Sequence, residues 1–232
     1  MRAENGGVEV VTGLSGDEIE ARSMEIIAQE LGPTTFNDQE LPVVYRIIHA
    51  TADFDFAENV RFHPAAIKNG IKALLAGRSI LVDVGMVAAG ISPGIIKSLG
   101  VKVVVPIKTK ECIEMAKDLG CTKAKAAMNI GVRDDVGIVA IGNAPTALLR
   151  IIELVSSGQF RPDLVIGVPV GFVNAAESKE LLLKQDVPYI TALGRKGGSA
   201  VAIAIVNALL RMAAQEACKR SQGTAFALLP GT

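Results

Sequence analysis

The sequence predicts an α/β fold in which helices cover both faces of a doubly wound parallel sheet of about five strands, after an N-terminal helical segment. Beyond residue 75, short apolar runs rich in β-branched residues alternate with segments of helical length. The runs are apolar throughout, as expected for strands buried on both faces. Half of the 232 residues are hydrophobic, so the chain can fill one large core. We predict a single domain over 1–232, with a helical part over 1–75 and a sheet part over 76–232.

Three helices are predicted in the N-terminal part. The first covers Asp17–Leu31, where isoleucine and leucine recur on one side until Gly32-Pro33 ends the helix. The second runs from Asp38 to about Asp53 on the same helical spacing. The third, Pro64–Leu75, begins with a proline in the first-turn position that helices favour.

Five strands and six helices are predicted in the sheet part. The strands are Ser79–Val84, Val101–Ile107, Val136–Ile141, Leu164–Val168 and Pro188–Ala192. The helices are Pro93–Leu99, Lys110–Leu119, Thr122–Ile130, Thr146–Ser157, Ala175–Lys184 and Ser199–Ala214. The most apolar tract, Ala200–Leu210, is shorter than the roughly 20 residues of a membrane span, so we interpret it as a buried helix.

Composition and motifs exclude several classes of function. A net charge of zero and an aromatic content of 4% argue against nucleic-acid binding. Three cysteines are too few for a disulfide framework, and the first 16 residues lack the apolar segment of a signal peptide, so we expect a cytoplasmic protein without a membrane partner. Dinucleotide, P-loop, hydrolase-elbow and zinc-protease motifs are absent, and no metal site is expected.

Three loops follow predicted strands and lead into helices: Gly142–Ala147, Val168–Val173 and Gly194–Ser199. Ligands of doubly wound sheets bind beyond the carboxyl ends of the strands, where these loops meet. Glycine-rich turns and helix N-termini favour anions, and Arg195 and Lys196 add full positive charges. Each loop alone is also compatible with an ordinary strand–helix turn. Three such loops at one edge favour a shared site for an anionic ligand.

Two histidines are present, and they have different surroundings. His49 lies near the end of the second predicted helix, one turn after Arg46. It is either a proton or hydrogen-bond donor in a site or a core histidine bound to a backbone carbonyl. Arg46 and Asp53 could steer its protonation in opposite directions, because a cation lowers and a carboxylate raises a histidine pKa. His63 precedes Pro64 and is interpreted as a helix-entry or surface residue without a catalytic role.

Six segments of the chain together resemble the precorrin-8X methylmutase family, also called cobalt-precorrin-8 methylmutases. They are Ile19–Ser23, Arg46–Asp53, Asp83–Val87, Gly142–Leu148, Pro169–Lys179 and Gly194–Ala200. The segments occur in the family's order and cover nearly the whole chain. Six ordered motifs are far more specific than any one of them.

The resemblance implies a flavodoxin-like sheet, a homodimer with substrate near the subunit interface, and no separate cofactor. It implies an isomerase that moves a methyl group from carbon 11 to carbon 12 of the corrin ring, in an acid-assisted 1,5-sigmatropic shift. The family's catalytic histidine corresponds to His49, which would act as a general acid. The substrate would be precorrin-8X or cobalt-precorrin-8, and the product hydrogenobyrinic or cobyrinic acid.

The resemblance and the loops together give a set of candidate substrate-binding residues. They are Arg22, Ser23, Arg46, Met86, Lys123, Asn143, Thr146, Gly171, Arg195, Lys196, Gly197, Gly198 and Ser199. The chain departs from the family's Thr-Arg-Ser pattern at Thr122-Lys123-Ala124, where lysine keeps the charge but lacks the planar fork of arginine. Lys125 or Arg133 could compensate for that loss.

Two other functions compete with the isomerase. A corrinoid- or tetrapyrrole-binding carrier would need the same cationic pocket but would tolerate the loss of His49. A flavin-phosphate module would need hydroxyl side chains after the first strand, and Asp83–Ala88 contains neither serine nor threonine. The sequence therefore favours the isomerase, with the carrier as the alternative.

Overall fold

Six strands form the central sheet in the computed structural model, which describes residues 2–5 and 8–227, with side chains for 12–220. In chain order, the strands of the molecule are β1 Arg2–Asn5, β2 Val8–Val11, β3 Val60–Phe62, β4 Ser79–Val82, β5 Val103–Val104, β6 Val136–Ile141, β7 Leu164–Gly167 and β8 Tyr189–Ala192. The first two pair with each other as a separate antiparallel hairpin. The others form the sheet in the order β3-β8-β7-β6-β4-β5.

Strands β4 to β8 are all parallel to their neighbours among these five. Numbered along the chain, they lie in the order 2-1-3-4-5, which is the order of flavodoxin-like folds. The predicted doubly wound parallel sheet is therefore confirmed. The connection after β4 leads to β5 on one side of the sheet, and the connection after β6 leads to β7 on the other side. The topological switch point therefore lies between β4 and β6.

The strand count and several strand ends differ from the prediction. Strand β3 adds a sixth, antiparallel edge to the sheet, with Val60 opposite Ala192. The three residues of β3 are too few to show an alternating pattern in the sequence. Because β1, β2 and β3 all lie within residues 1–75, this part of the chain is not purely helical. The predicted strand Val101–Ile107 shortens to β5, because Pro106 begins a 3-10 turn, Pro106–Lys108.

Eleven α-helices lie within the described residues. They are α1 Gly16–Leu31, α2 Leu41–Thr51, α3 Asp55–Asn59, α4 Ala66–Leu75, α5 Gly85–Gly90, α6 Pro93–Ser98, α7 Lys110–Asp118, α8 Lys123–Gly131, α9 Pro145–Ser156, α10 Ala175–Leu182 and α11 Ser199–Ala227. All nine predicted helices are present with shifted ends. The short helices α3 and α5 were not predicted.

Two layers of helices bury the two faces of the sheet. One layer contains α2, α4 and α11, and the other contains α7 to α10. Neighbouring strand residues belong to different layers: Ile138 packs with the first and Val139 with the second, and both are buried. This alternation explains why the strands are apolar at every position.

Helix α11 is the central element of the first layer. Its segment Ser199–Arg220 is long and apolar enough to cross a membrane by composition alone. In the fold it packs against α2, α4 and α5, and Ile205 and Leu209 have no exposed surface. The prediction that Ala200–Leu210 is a buried helix is confirmed.

Candidate active site

Four parallel strands end at the same edge of the sheet, and the chain segment after each one contributes to a candidate site. Asp83 follows β4, Gly142–Ala144 follows β6, Val168–Asn174 follows β7 and Leu193–Gly198 follows β8. This edge, which we call the ligand edge, includes the switch point between β4 and β6. The three loops predicted from the sequence are therefore neighbours, and Asp83 joins them.

The buried carboxylate of Asp83 fixes the first of these loops. Its Oδ1 accepts the Gly142 N–H at 3.1 Å, and its Oδ2 accepts the N–H groups of Asn143 and Ala144 at 2.8 Å each. Burial raises the pKa of Asp83 despite the opposing effect of the three amides. Asp83 was not among the residues predicted for the site, although it lies in one of the family-like segments.

Gly142 allows two helices to approach this loop closely. A Cβ atom on Gly142 would lie 2.8 Å from Ser199 Cα and 3.1 Å from Val87 Cγ2. The loop therefore lies against the start of α11 and against α5. Three predicted substrate-binding residues belong to this neighbourhood: Asn143 in the loop, Ser199 at the start of α11, and Met86 on α5, with 69% of its surface exposed.

The loops after β7 and β8 are bound to each other by their backbones. The Gly171 N–H donates to the Arg195 carbonyl at 3.3 Å, and the Gly198 N–H donates to the Val168 carbonyl at 2.8 Å. Gly197 has φ +158° and passes so close to Val168 that a Cβ atom would lie 2.3 Å from its carbonyl oxygen. The amide of Gly198, a predicted substrate-binding residue, therefore already donates within the protein, whereas the first turn of α11, from Ser199, offers backbone N–H groups to an anion.

Arg195 lies beside an exposed apolar surface. Its Cζ is 5.3 Å from the centroid of the Phe172 ring, a cation–π contact. Phe172 is 83% exposed and Val173 is 77% exposed. Large apolar groups this exposed on a folded protein mark an interaction surface. Next to a guanidinium, they suit a ligand that has both an apolar face and negative groups.

Lys196 is paired with two acidic residues in this structure, and its predicted role in binding the ligand stays a prediction. Its Nζ donates to Asp53 Oδ2 at 2.7 Å and to Asp55 Oδ2 at 2.5 Å. These bonds raise the pKa of Lys196, and the bond from Lys196 lowers the pKa of Asp53. Because two carboxylates neutralise the ammonium group, its main effect is to tie the loop after β8 to the segment after α2.

His49 is exposed in the last turn of α2 and has no hydrogen-bond partner among the described residues. A core histidine bound to a backbone carbonyl is therefore excluded. The helix ends at Ala52, which has a left-handed conformation with φ 51°, and this turn leads to Asp53 and its bond with Lys196. Arg46 pairs with Glu20, so neither of the two neighbours expected to steer its protonation is hydrogen-bonded to His49.

His63 has a structural role, as expected for a residue at a helix start. Its Nδ1 accepts the Ala65 N–H at 3.1 Å, just before α4 begins. The ring makes an edge-to-face contact with Tyr189, with centroids 5.6 Å apart. The two histidines therefore differ in role: His49 is open to solvent, whereas His63 stabilises the turn before α4.

Three predicted substrate-binding residues lie along α1 and α2, and among the described residues no hydrogen bond or ion pair joins them to the loops of the ligand edge. Arg22 pairs with Glu25 at 3.1 Å, and Ser23 Oγ donates to the Ile19 carbonyl at 2.8 Å. Arg22 and Ser23 also line an open groove of about 630 Å³ on the outer face of α1. Arg46 Nη2 binds Glu20 Oε1 at 2.5 Å, on the same helix as His49.

Lys123 and Thr146 lie at the starts of neighbouring helices. The hydroxyls of Thr122 and Thr146 are 2.9 Å apart, which joins the first turns of α8 and α9, and Lys123 is exposed beside them. Neither proposed substitute for an arginine here is available. Lys125 pairs with Glu153 at 3.3 Å, and Arg133 precedes β6 at the opposite edge of the sheet, where it pairs with Asp135 at 3.2 Å.

Lys179 is a second buried charge that was not among the residues predicted for the site. It lies on α10, has no exposed surface, and donates from Nζ to the Lys196 carbonyl at 2.7 Å. Burial lowers the pKa of Lys179 to about 8. Within the described part of the chain, His, Cys, Asp and Glu side chains form no group of three or more that could hold a metal ion.

The chain is similar to one known protein family over a stretch that includes the whole ligand edge. Residues 18–212 match the family model described as precorrin-8X methylmutase. The cobalt-precorrin-8 methylmutase of Priestia megaterium is 48% identical over 193 residues, covering 83% of this chain and 86% of that protein. The precorrin-8X methylmutase of a Sinorhizobium species is 35% identical, covering 84% and 94%. The crystal structure of precorrin-8X methyl mutase from Thermus thermophilus has a TM-score of 0.79 at 42% identity, covering 85% and 98%.

Proposed function

This chain belongs to the precorrin-8X methylmutase family, and on that premise we propose that it moves a methyl group from carbon 11 to carbon 12 of a corrin precursor. It is an isomerase of cobalamin biosynthesis. The observation that carries this conclusion is the family match over 18–212, which includes the ligand edge, most of α1 and all of α2. The substrate is precorrin-8X or cobalt-precorrin-8, and the product is hydrogenobyrinic or cobyrinic acid.

In the proposed mechanism, His49 is the general acid. The bond from the methyl group to carbon 11 breaks while the bond to carbon 12 forms, so the net reaction is an isomerisation. A proton or a strong hydrogen bond from the imidazole to the macrocycle, near ring C, favours the rearranged conjugated system. Exposure of His49 supports this role, because an imidazole without a protein partner is free to meet a ligand.

The ligand edge suits the two kinds of surface that a corrin precursor has. The macrocycle is a large apolar ring with acetate and propionate groups at its rim. Phe172, Val173 and Met86 offer exposed apolar surface for the ring face. Arg195 and the first turn of α11 offer a planar cation and free amides for carboxylates. We propose that these groups bind the ring face and the carboxylates of the substrate, and that Asn143 and Thr146, in and beside the adjoining loop, also contact it.

We further propose that the protein is a cytoplasmic homodimer and that the second subunit covers the ligand edge. Phe172 and Val173 are more exposed than large apolar residues usually are on the surface of a monomeric protein. Ile19 and Leu14, on and beside α1, are also exposed, and they line the groove that contains Arg22 and Ser23. A partner copy that buried these residues would enclose the substrate between subunits.

Incubation with each substrate tests the proposed activity. Purified protein is mixed with precorrin-8X or with cobalt-precorrin-8, and the visible spectrum is followed, since migration of the methyl group alters the conjugated system. We expect conversion of at least one substrate to the spectrum of hydrogenobyrinic or cobyrinic acid. Tight binding of both compounds without any conversion would instead identify a corrinoid carrier.

A further inference from the structure

The starting observation is a lysine, Lys179, that is completely buried without an acidic partner. No carboxylate pairs with it among the described residues, and burial alone lowers its pKa. An ammonium group without a counter-charge is costly to bury. Groups of this kind are concentrated at functional sites, where their cost is offset by what they hold in place.

The hydrogen bond of Lys179 crosses from α10 to the loop of the ligand edge that carries Arg195. Its Nζ donates to the carbonyl oxygen of Lys196, the residue after Arg195, at 2.7 Å. The side chain of Lys196 leaves in the other direction and binds Asp53 and Asp55. Lys196 is therefore fixed twice, through its carbonyl by Lys179 and through its ammonium group by the segment that follows the His49 helix.

This loop needs fixed points because glycines surround the cationic pair. Gly194, Gly197 and Gly198 have φ values of +70°, +158° and +123°, which other residues rarely adopt. Glycine allows this path, but it also has the largest conformational freedom of any residue. The position of Arg195 therefore depends on the few bonds that hold the loop, and the bond from Lys179 brings a charged donor to the loop's own backbone.

We infer that Lys179 is a positioning residue that holds Arg195 where it can bind a carboxylate of the substrate. It acts through the Lys196 carbonyl and does not touch the substrate itself. The choice of carboxylate as the bound group rests on the proposed function, whereas the fixing of the loop by Lys179 does not. A lysine that merely filled space would be replaced by methionine without any effect on the loop.

Hydrogen exchange tests the fixing of the loop in the absence of any ligand. The variants are Lys179→Met, which keeps the length of the apolar stem, and Lys179→Gln, which is one bond shorter but keeps an N–H donor. The matched control is Lys184→Met, at an exposed lysine just beyond the same helix. Amide exchange is measured for Leu193–Ala200 and, as an internal reference, for Val136–Ile141 in β6.

We expect Lys179→Met to speed exchange in Leu193–Ala200 by about tenfold or more, the effect of losing one hydrogen bond to a charged group. Exchange in β6 should stay unchanged, and Lys179→Gln should lie between Lys179→Met and the unmodified protein. Unchanged exchange in the loop of Lys179→Met would overturn the inference. If Lys179→Met does not fold, faster loop exchange in Lys179→Gln supports the inference, and unchanged exchange in it counts against it.

A double-mutant cycle with Arg195→Ala then tests the link to ligand binding. Affinity for hydrogenobyrinic acid is measured by titration for the unmodified protein, Lys179→Met, Arg195→Ala and the double variant. We expect each single change to weaken binding about tenfold or more. The double variant should be little worse than Arg195→Ala alone, because Lys179 acts through Arg195.

The outcomes of this cycle separate the inference from the proposed function. Losses that multiply in the double variant, or normal product affinity in Lys179→Met, would overturn the positioning role. Failure of the unmodified protein to bind the product would count against the proposed function. In that case the exchange experiment still decides whether Lys179 fixes the loop.

Discussion

Asp83 and Lys179 are charged side chains with no exposed surface, and each binds the backbone of a loop at the ligand edge. From the sequence, neither residue could be distinguished from a solvated surface charge. Whether a carboxylate or an amine is buried depends on which distant loop folds over it, and Asp83 lies 59 positions from Gly142. By contrast, Arg195 and the glycines were predicted, because local turn chemistry is visible in sequence.

Replacing Asp83 with asparagine tests how far this carboxylate organises the site. Asparagine has one acceptor oxygen where the aspartate uses two, and its NH₂ group faces a backbone donor. Leaving such buried groups unpaired costs about 1–3 kcal/mol, so we expect the free energy of unfolding in urea to fall by that amount. Turnover should fall as well, because the loop that carries Asn143 loses its anchor.

The control for this change is Asp135→Asn, at the opposite edge of the sheet. Asp135 Oδ2 accepts the Ser79 hydroxyl at 2.6 Å, and the pair is partly exposed. This control should change stability by less than about 1 kcal/mol, as is usual for exposed polar pairs. Equal turnover of Asp83→Asn and Asp135→Asn would show that Asp83 does not organise the site.

Elements with a clear helical period or a continuous apolar run were predicted from the sequence, whereas strand β3 and the short helices α3 and α5 were not. All nine predicted helices exist because each has an apolar face that recurs over at least two turns or a proline or cap at its start. Strand β3 and helix α3 were missed, since three and five residues are too few to show a period. Pairing with β8 stabilises β3, and that contact joins residues far apart in sequence.

The anchoring of helix α1 depends on Glu20 and therefore on pH. Glu20 accepts hydrogen bonds from Arg46 at 2.5 Å and Arg211 at 2.9 Å, which ties α1 to α2 and α11. The bond from Arg46, with a smaller contribution from Arg211, lowers the pKa of Glu20 to about 2. A lowered carboxyl pKa stabilises the folded state above the unfolded pKa of about 4.5, and this stability is lost as the pH falls toward 2.

Glu20→Gln should therefore be less stable than the unmodified protein at pH 7, by about 1 kcal/mol because the pair is partly exposed. This difference should shrink between pH 4.5 and pH 2, the range between the two pKa values. Urea unfolding at pH 7, 5 and 3 measures it, with Glu25→Gln, at an exposed pair on the same helix, as the control. A difference that stays constant over this range would contradict the predicted role of ionised Glu20.

The whole molecule follows from the alternation of apolar runs and helices, which fixed the class of fold and the edge where loops meet. The predicted site residues, however, do not all lie together in a single chain. Arg22 and Ser23 lie on α1, whereas Arg195 and Asn143 lie at the ligand edge. A sequence of one chain does not contain the geometry of a second copy, so the way in which these residues act together could not be predicted from it.

The proposed homodimer would bring these residues together, and it gives a direct prediction. We expect light scattering at micromolar concentration to give about twice the chain mass of 24.3 kDa, because exposed Phe172, Val173 and Ile19 offer apolar surface for an interface. Dilution to nanomolar concentration should not change the mass if the interface is permanent. A mass of 24.3 kDa at micromolar concentration would contradict the dimer.

The central claim is that His49 is the acid of the methyl migration, and single-turnover spectroscopy of a histidine variant tests it most directly. His49→Asn removes the ionisable group, and His63→Asn is the matched control, since asparagine can still accept the Ala65 N–H. Each variant is mixed in excess with precorrin-8X, the rate of spectral change is recorded, and product affinity is titrated on the same preparation. We predict that His49→Asn is slower by on the order of a hundredfold or more, the scale of general acid catalysis, while its product affinity stays within about tenfold. His63→Asn should turn over normally. A near-normal rate in His49→Asn would contradict the account, and lost binding in a folded His49→Asn would make His49 a ligand-holding residue.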